Sequence, residues 1–106
     1  MREYSTPLTI DLPDTGNLTD DVVTNAAEAG ASIAFRRQTG TEWTDVSAEQ
    51  FHEEVRALAK GMIAAGIEVG DRVAILSRTR YEWTLFDYAV WFAGGVVVPI
   101  YETSSP

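Results

Sequence analysis

Residues 70–101, "GDRVAILSRTRYEWTLFDYAVWFAGGVVVPIY", decide the fold. Two short aliphatic and β-branched runs, 72–77 and 96–101, are flanked by Gly and Pro and read as strands. The stretch between them, 81–93, has the length of a helix. A strand, a helix and a strand at this spacing form a βαβ unit. Its two strands are expected to be parallel, adjacent or nearly so in one sheet, with a right-handed crossover.

The helix of this unit is unusual. Six of the chain's eleven aromatics fall in twelve residues: Tyr81, Trp83, Phe86, Tyr88, Trp91 and Phe92. At 100° per residue the apolar side chains surround the axis, interrupted only by Glu82, Thr84 and Asp87. Such a helix is buried on several sides, and six aromatics bury on the order of 1,200 Å². Trp83, Phe86 and Val90 are expected to face the sheet. Tyr88 and Trp91 project elsewhere and need further cover, either more chain or a second copy in a homo-oligomer.

Outward from this unit, Ser47 and Gln50 have the spacing of a capping box. Phe51, Val55, Leu58 and Met62 then form one apolar stripe of a helix over 48–65, and Gly66 ends it. "SIAFRR" and "TEWTDV" read as strands of a hairpin about Thr39-Gly40. Thr19 is placed to cap a helix over 20–29, with Asp20 and Asp21 in its first turn and Gly30 as its stop. Residues 1–18, punctuated by Pro7, Pro13 and Gly16, read as an irregular arm. No repeat, low-complexity tract or linker interrupts the chain.

Composition excludes several classes. The formal charge is −8, from 16 acids against 8 bases, which opposes the clustered Lys and Arg of a nucleic-acid partner. No cysteine is present, so disulfides and thiolate metal sites are excluded, as suits a cytoplasmic protein. The opening "MREYSTPLTIDLPD" lacks the apolar stretch of a signal peptide. The longest apolar run, 88–100, is broken by Gly94, Gly95 and Pro99 and is too short to span a bilayer. Nothing in the sequence indicates membrane contact.

Residues 32–106 resemble the opening of the adenylate-forming, AMP-binding superfamily. Gly70-Asp71-Arg72-Val73-Ala74 matches the family's Gly-Asp-Arg-Val-Ala start of a strand. Phe92-Ala93-Gly94-Gly95 through Val98-Pro99-Ile100 is similar to its second core motif, without that motif's Lys. Trp43-Thr44-Asp45-Val46, followed by Glu49 to Phe51, resembles its first core motif loosely. "RYEW" and "PIYETSSP" are similar to the long-chain fatty acyl-CoA synthetase branch.

The resemblance implies an α/β fold: the N-terminal portion of the large domain, with a β-hairpin followed by a parallel βαβ unit. It divides the chain into an arm and short helix, 1–31, and the start of the AMP-binding domain, 32–106. It implies a fatty acid substrate, with ATP, Mg2+ and CoA as cofactors of a parent enzyme. The family's phosphate loop, adenine-binding aromatic, ribose-binding Asp, magnesium-binding Glu and catalytic Lys have no counterpart in these 106 residues. No catalytic, cofactor or metal residue is therefore assigned, and the chain by itself is expected to be inactive and to bind none of these cofactors. Ser105-Pro106, with Ser104, reads as the cap and first position of another helix. The chain is thus expected to be the front piece of a larger enzyme. Two alternatives stand beside this one: another adenylate-former acting on an aryl, amino or shorter acyl substrate, and a complete small acidic interaction module.

Site residues are few. "GIEVGDR" and "AGGVVV" lack the Gly-Lys-Ser/Thr ending of a phosphate cradle and read as turns. His52, the only histidine, flanks the apolar stripe beside Glu53 and Glu54 and reads as a solvent-edge residue, since no other ligands are spaced for a metal. Glu49, Glu53 and Glu54 form a solvated face. Asp87 lies among aromatics and is expected to have a partner, an Arg or a backbone N–H. Ligands of open α/β sheets bind beyond the carboxyl ends of strands. Ser77, Arg78 and Thr103, in the two loops placed there, are the cleft-edge candidates, although capping and loop packing explain them as well.

Overall fold

The computed structural model describes residues 2–104. The expected helix start at Ser105-Pro106 lies outside them. Seven elements follow the arm in the order α1 (Asp20–Ala29), β1 (Ile33–Thr39), β2 (Glu42–Ser47), α2 (Ala48–Ala64), β3 (Arg72–Leu76), α3 (Tyr81–Phe92) and β4 (Val96–Ile100).

The hairpin and the βαβ unit form two separate two-stranded sheets. β1 and β2 pair antiparallel from Ile33↔Ser47 to Thr39↔Glu42, with an irregularity between Ile33 and Phe35. Two residues connect them. Gly40 leads with φ +64°, and among the described residues no non-glycine has positive φ, the signs of a II′ turn. β3 and β4 pair parallel and are direct neighbours, Arg72↔Val96 through Leu76↔Ile100. Gly70 N donates to Gly94 O at 2.9 Å, and Val96 N donates to Asp71 O at 2.7 Å, which sets this register.

α2 follows from its local sequence. Ser47 Oγ accepts from Gln50 N, and Gln50 Oε1 accepts from Ser47 N, both at 3.1 Å, which closes the capping box. After the C-cap Ala65, Gly66 takes φ +109°, a conformation that a Cβ would strain. The stripe then packs as its spacing demands. Phe51, Val55 and Ala59 are buried, and Leu58 and Met62 lie against them.

α1 has the expected bounds but not the expected cap. Thr19 itself sits in helical backbone, and its hydroxyl makes no capping bond. Asn17 intervenes instead. Its Oδ1 accepts from Thr19 N at 2.9 Å, and Asp20 Oδ2 accepts from Asn17 N at 3.0 Å. The same Asn17 Oδ1 also accepts from the Thr19 hydroxyl, which ties that hydroxyl to the turn before the helix and away from the N–H groups it would cap. Gly30 has φ −55° and is not a left-handed stop. Its carbonyl accepts from Glu49 N at 3.0 Å, so the end of α1 docks on the start of α2.

The core joins α1, α2, α3 and the hairpin. Val22, Val46, Phe51, Val55, Ala59, Tyr81, Ala89 and Ala93 form one buried cluster. Phe51 is its hub, with ring centres 4.7 Å from Phe35, 6.2 Å from Tyr81 and 5.5 Å from Tyr88.

The expected faces of α3 need correction. Val90 is fully buried, but Phe86 is 42% exposed and Tyr88 packs inward on Phe51. α2 supplies the cover on the Tyr88 side, whereas Phe86 borders an open cavity along β3 and is left partly exposed. The opposite face of that sheet is open, leaving Leu76, Val96, Val98 and Ile100 exposed. Parallel sheets are ordinarily covered on both faces. Among the described residues no helix is long and apolar enough to cross a membrane.

Candidate functional site

The carboxyl ends of β3 and β4 lie side by side because the strands are parallel and in register. The loops that leave them, Ser77–Arg80 and Tyr101–Ser104, therefore face each other. A cavity of about 320 Å³ lies between them, and Ser77, Arg78 and Thr103 all line it, with Trp83 and Tyr101. The three cleft-edge candidates are thus brought together. Ser77 Oγ donates to Arg78 O at 3.0 Å. Arg78 Nε lies 3.7 Å from Glu102 Oε2, a long, exposed ion pair that ties one loop to the other. Exposed pairs of this kind are worth at most about 1 kcal/mol, so the two loops are only lightly held.

A second cavity of about 490 Å³ lies on the other side of the Ser77–Arg80 loop, against the hairpin. Arg36, Arg78 and Arg80 line it beside Trp43, which is 63% exposed. Each arginine already has an acid: Arg36 Nε is 3.2 Å from Asp45, and Arg80 Nε is 3.3 Å from Glu82. A third, of about 320 Å³, runs along β3 beneath Met62, Trp83 and Phe86. Sequence patterns give no sign of it, since Phe86 was expected against the sheet.

The remaining titratable residues stand apart from this cleft. Asp87 is half-buried, and among the described residues no hydrogen bond or ion pair reaches it, contrary to the expected partner. Burial alone holds its carboxyl above the usual aspartate range. No buried side-chain oxygen or nitrogen lacks a partner among the described residues, so its oxygens still reach water. His52 is partly covered, with its ring centre 6.1 Å from that of Phe92. Among the described residues no three His, Cys, Asp or Glu side chains converge to hold a metal ion.

A parallel βαβ unit entered through Gly-Asp-Arg-Val-Ala, with a hairpin and capped helix before it, is a specific arrangement. A family model described as "AMP-binding enzyme" matches residues 22–106. The chain belongs to the AMP-binding enzyme family. It is 39% identical over 105 residues to the long-chain-fatty-acid–CoA ligase FadD15 of Mycobacterium bovis, across 99% of this chain and 18% of that protein. It is 38% identical over 76 residues to the long-chain-fatty-acid–CoA ligase ACSBG2 of Xenopus laevis, across 72% of this chain and 10% of that one. The chain therefore spans under a fifth of the length of these relatives. Among solved structures, a putative long-chain-fatty-acid CoA ligase from Rhodopseudomonas palustris superposes with a TM-score of 0.77 at 26% identity, covering 87% of this chain and 22% of that one. A fatty acyl-adenylate ligase from L. pneumophila, solved with acyl adenylate and pyrophosphate, superposes with a TM-score of 0.72 at 25% identity, covering 79% and 15%. The α/β fold with its hairpin and parallel βαβ unit is thus that of adenylate-forming enzymes.

Proposed function

We propose that this chain is the opening portion of an AMP-forming long-chain fatty acid–CoA ligase. The observation that carries this reading is the 39% identity to FadD15 over 99% of the chain. In such a ligase a fatty carboxylate and ATP give an acyl-adenylate and pyrophosphate. The CoA thiol then takes the acyl group and AMP leaves. Splitting the reaction in this way replaces a poor leaving group, hydroxide, with a good one, AMP.

The residues present supply scaffold to this chemistry. β3 and β4 bring two loops to the end of the sheet where ligands of α/β folds sit, and α2, α3 and the hairpin hold them from behind. ATP, CoA and Mg2+ are the group's cofactors, but no described cluster of acids fits a magnesium ion, so no step is derived through one. A cytoplasmic location accords with the absence of cysteine.

The test is expression of the full-length protein encoded by the gene that carries this sequence, followed by assay with ATP, CoA and saturated fatty acids of graded length. Acyl-CoA formation with stoichiometric release of AMP and pyrophosphate is expected, fastest with long chains. Preference for an aryl or amino acid would transfer the protein to another branch of the family. Release of ADP, or no acyl transfer, would refute the reading.

A further inference from the structure

Arg37 joins three elements that the sequence keeps far apart. It lies in β1, and its Nε and Nη2 donate to Glu82 Oε1 in the first turn of α3, at 3.1 and 2.7 Å. Its Nη1 lies 3.8 Å from Glu54 Oε1 in α2. The guanidinium carbon sits 5.1 Å from the centre of the Tyr81 ring, and the Tyr81 hydroxyl donates to Glu54 Oε2. Glu82 is shared: one oxygen takes Arg37, and the other lies 3.3 Å from Arg80 Nε, at the end of the cleft loop. A planar fork is suited to this, because three of its nitrogens face two carboxylates at once.

The loop that these contacts reach has little else to hold it. Ser77–Arg80 lacks helix and strand, and Arg80 gives α3 no side-chain cap. The pair from Arg78 to Glu102 is long and exposed. β3 fixes one end of the loop, and the first turn of α3 fixes the other. We propose that Arg37 is a positioning residue, setting through Glu82 and Arg80 where the Ser77–Arg80 loop lies and hence the width of the cleft at the carboxyl ends of β3 and β4. This rests on reading that cleft as part of the ligase site. The electrostatics agree. Glu82 is held below the usual glutamate range by its own backbone N–H and then by Arg37 and Arg80. The Tyr81 hydroxyl is held above the tyrosine range by burial and by Glu54.

The test uses the full-length protein carrying Arg37→Ala, Arg37→Lys or Glu82→Gln. Amide exchange is followed at Trp83–Leu85, in the first turn of α3, and at Ala59–Met62, in α2, alongside acyl-CoA formation. Loss of charge-assisted bonds to one carboxylate should speed exchange at Trp83–Leu85 about tenfold and leave Ala59–Met62 unchanged. kcat/KM for acyl-CoA formation should fall about as far. Arg37→Lys should behave as Arg37→Ala, since one ammonium cannot span both carboxylates. Glu82→Gln should show the same local loosening. Unchanged exchange, an equal rise in both segments, or full rescue by lysine would overturn the proposal. So would a loosened turn with undiminished ligase activity. A wild-type protein without ligase activity would instead refute the functional reading, and the exchange data would still decide whether Arg37 holds the loop.

Discussion

Truncating Phe51 to alanine removes the ring at which α2, α3 and the hairpin meet. The side chain is 4% exposed and has three aromatic neighbours within 6.2 Å. Burying such a ring removes about 150–200 Å² from water. At about 25 cal/mol/Å² this amounts to about 4–5 kcal/mol, within the ~3–5 kcal/mol typical of Phe→Ala in a core. A domain of this size has about 5–15 kcal/mol of net stability. Phe51→Ala should therefore remove about 3–5 kcal/mol, a large share of that stability, and Phe51→Leu should give a graded loss of about 1–2 kcal/mol. The assay is urea unfolding followed by circular dichroism at micromolar protein, with Trp43→Ala as the control. Trp43 is 63% exposed, and its removal should cost within about 0.5 kcal/mol. A loss below about 1 kcal/mol for Phe51→Ala would show that the aromatic cluster is not the joint between the three elements.

Two glycines should respond in opposite senses. At Gly61 a Cβ meets nothing within 4 Å, and Gly61→Ala inside α2 should stabilise by about 0.5–1 kcal/mol. At Gly95 it would lie 2.9 Å from Val90 Cγ1 and 3.1 Å from Asp71 O, and Gly95→Ala should cost about 1–3 kcal/mol in the same urea assay. The open apolar face of β3 and β4 should make the 106-residue chain self-associate. Light scattering and an apolar-surface dye check this, with Val98→Lys reducing both signals and a monodisperse, dye-silent monomer refuting it. Calorimetry of the same chain with MgATP should show no sub-millimolar binding, because no phosphate loop is present. Asp87 has a raised pKa, so its contribution to stability is present below the ordinary aspartate range and is lost as pH rises through the raised value. Asp87→Asn should accordingly raise Tm at neutral pH and not at pH ~3.

Local chemistry made most elements legible. The Ser47/Gln50 box, the stripe from Phe51 to Met62 and the Gly-bounded valine run each act over a few residues, and each appears where its pattern places it. The hairpin was legible for the same reason, but its turn falls on Gly40-Thr41 and not Thr39-Gly40, because Thr39 still pairs with Glu42. Thr19 shows the limit at short range. A hydroxyl at the right position donates to an Asn two residues away instead of capping the helix, and residue type alone does not say which partner it takes. Phe86 shows the limit at long range. A helix that is apolar all round carries no moment to orient it, so its faces are settled by what the rest of the chain can supply: α2 on one side, and a sheet only two strands wide on the other. The cleft followed from strand direction. The Arg37–Glu82 contact did not, because 45 residues separate the partners and no period connects them.

Among the described residues the parallel pair of β3 and β4 has two unlike edges, each offering unpaired backbone groups, although Pro99 has no N–H to give in β4. If one molecule joins another through them, the β4 edge of the first meets the β3 edge of the second with both strands pointing the same way. That contact is head-to-tail. It uses different surfaces on the two molecules and leaves a fresh edge at either end, so no copy number satisfies it unless the rotation happens to close a ring. Association by this route would lengthen as concentration rises, giving filaments of no fixed size, where a face-to-face contact would stop at two.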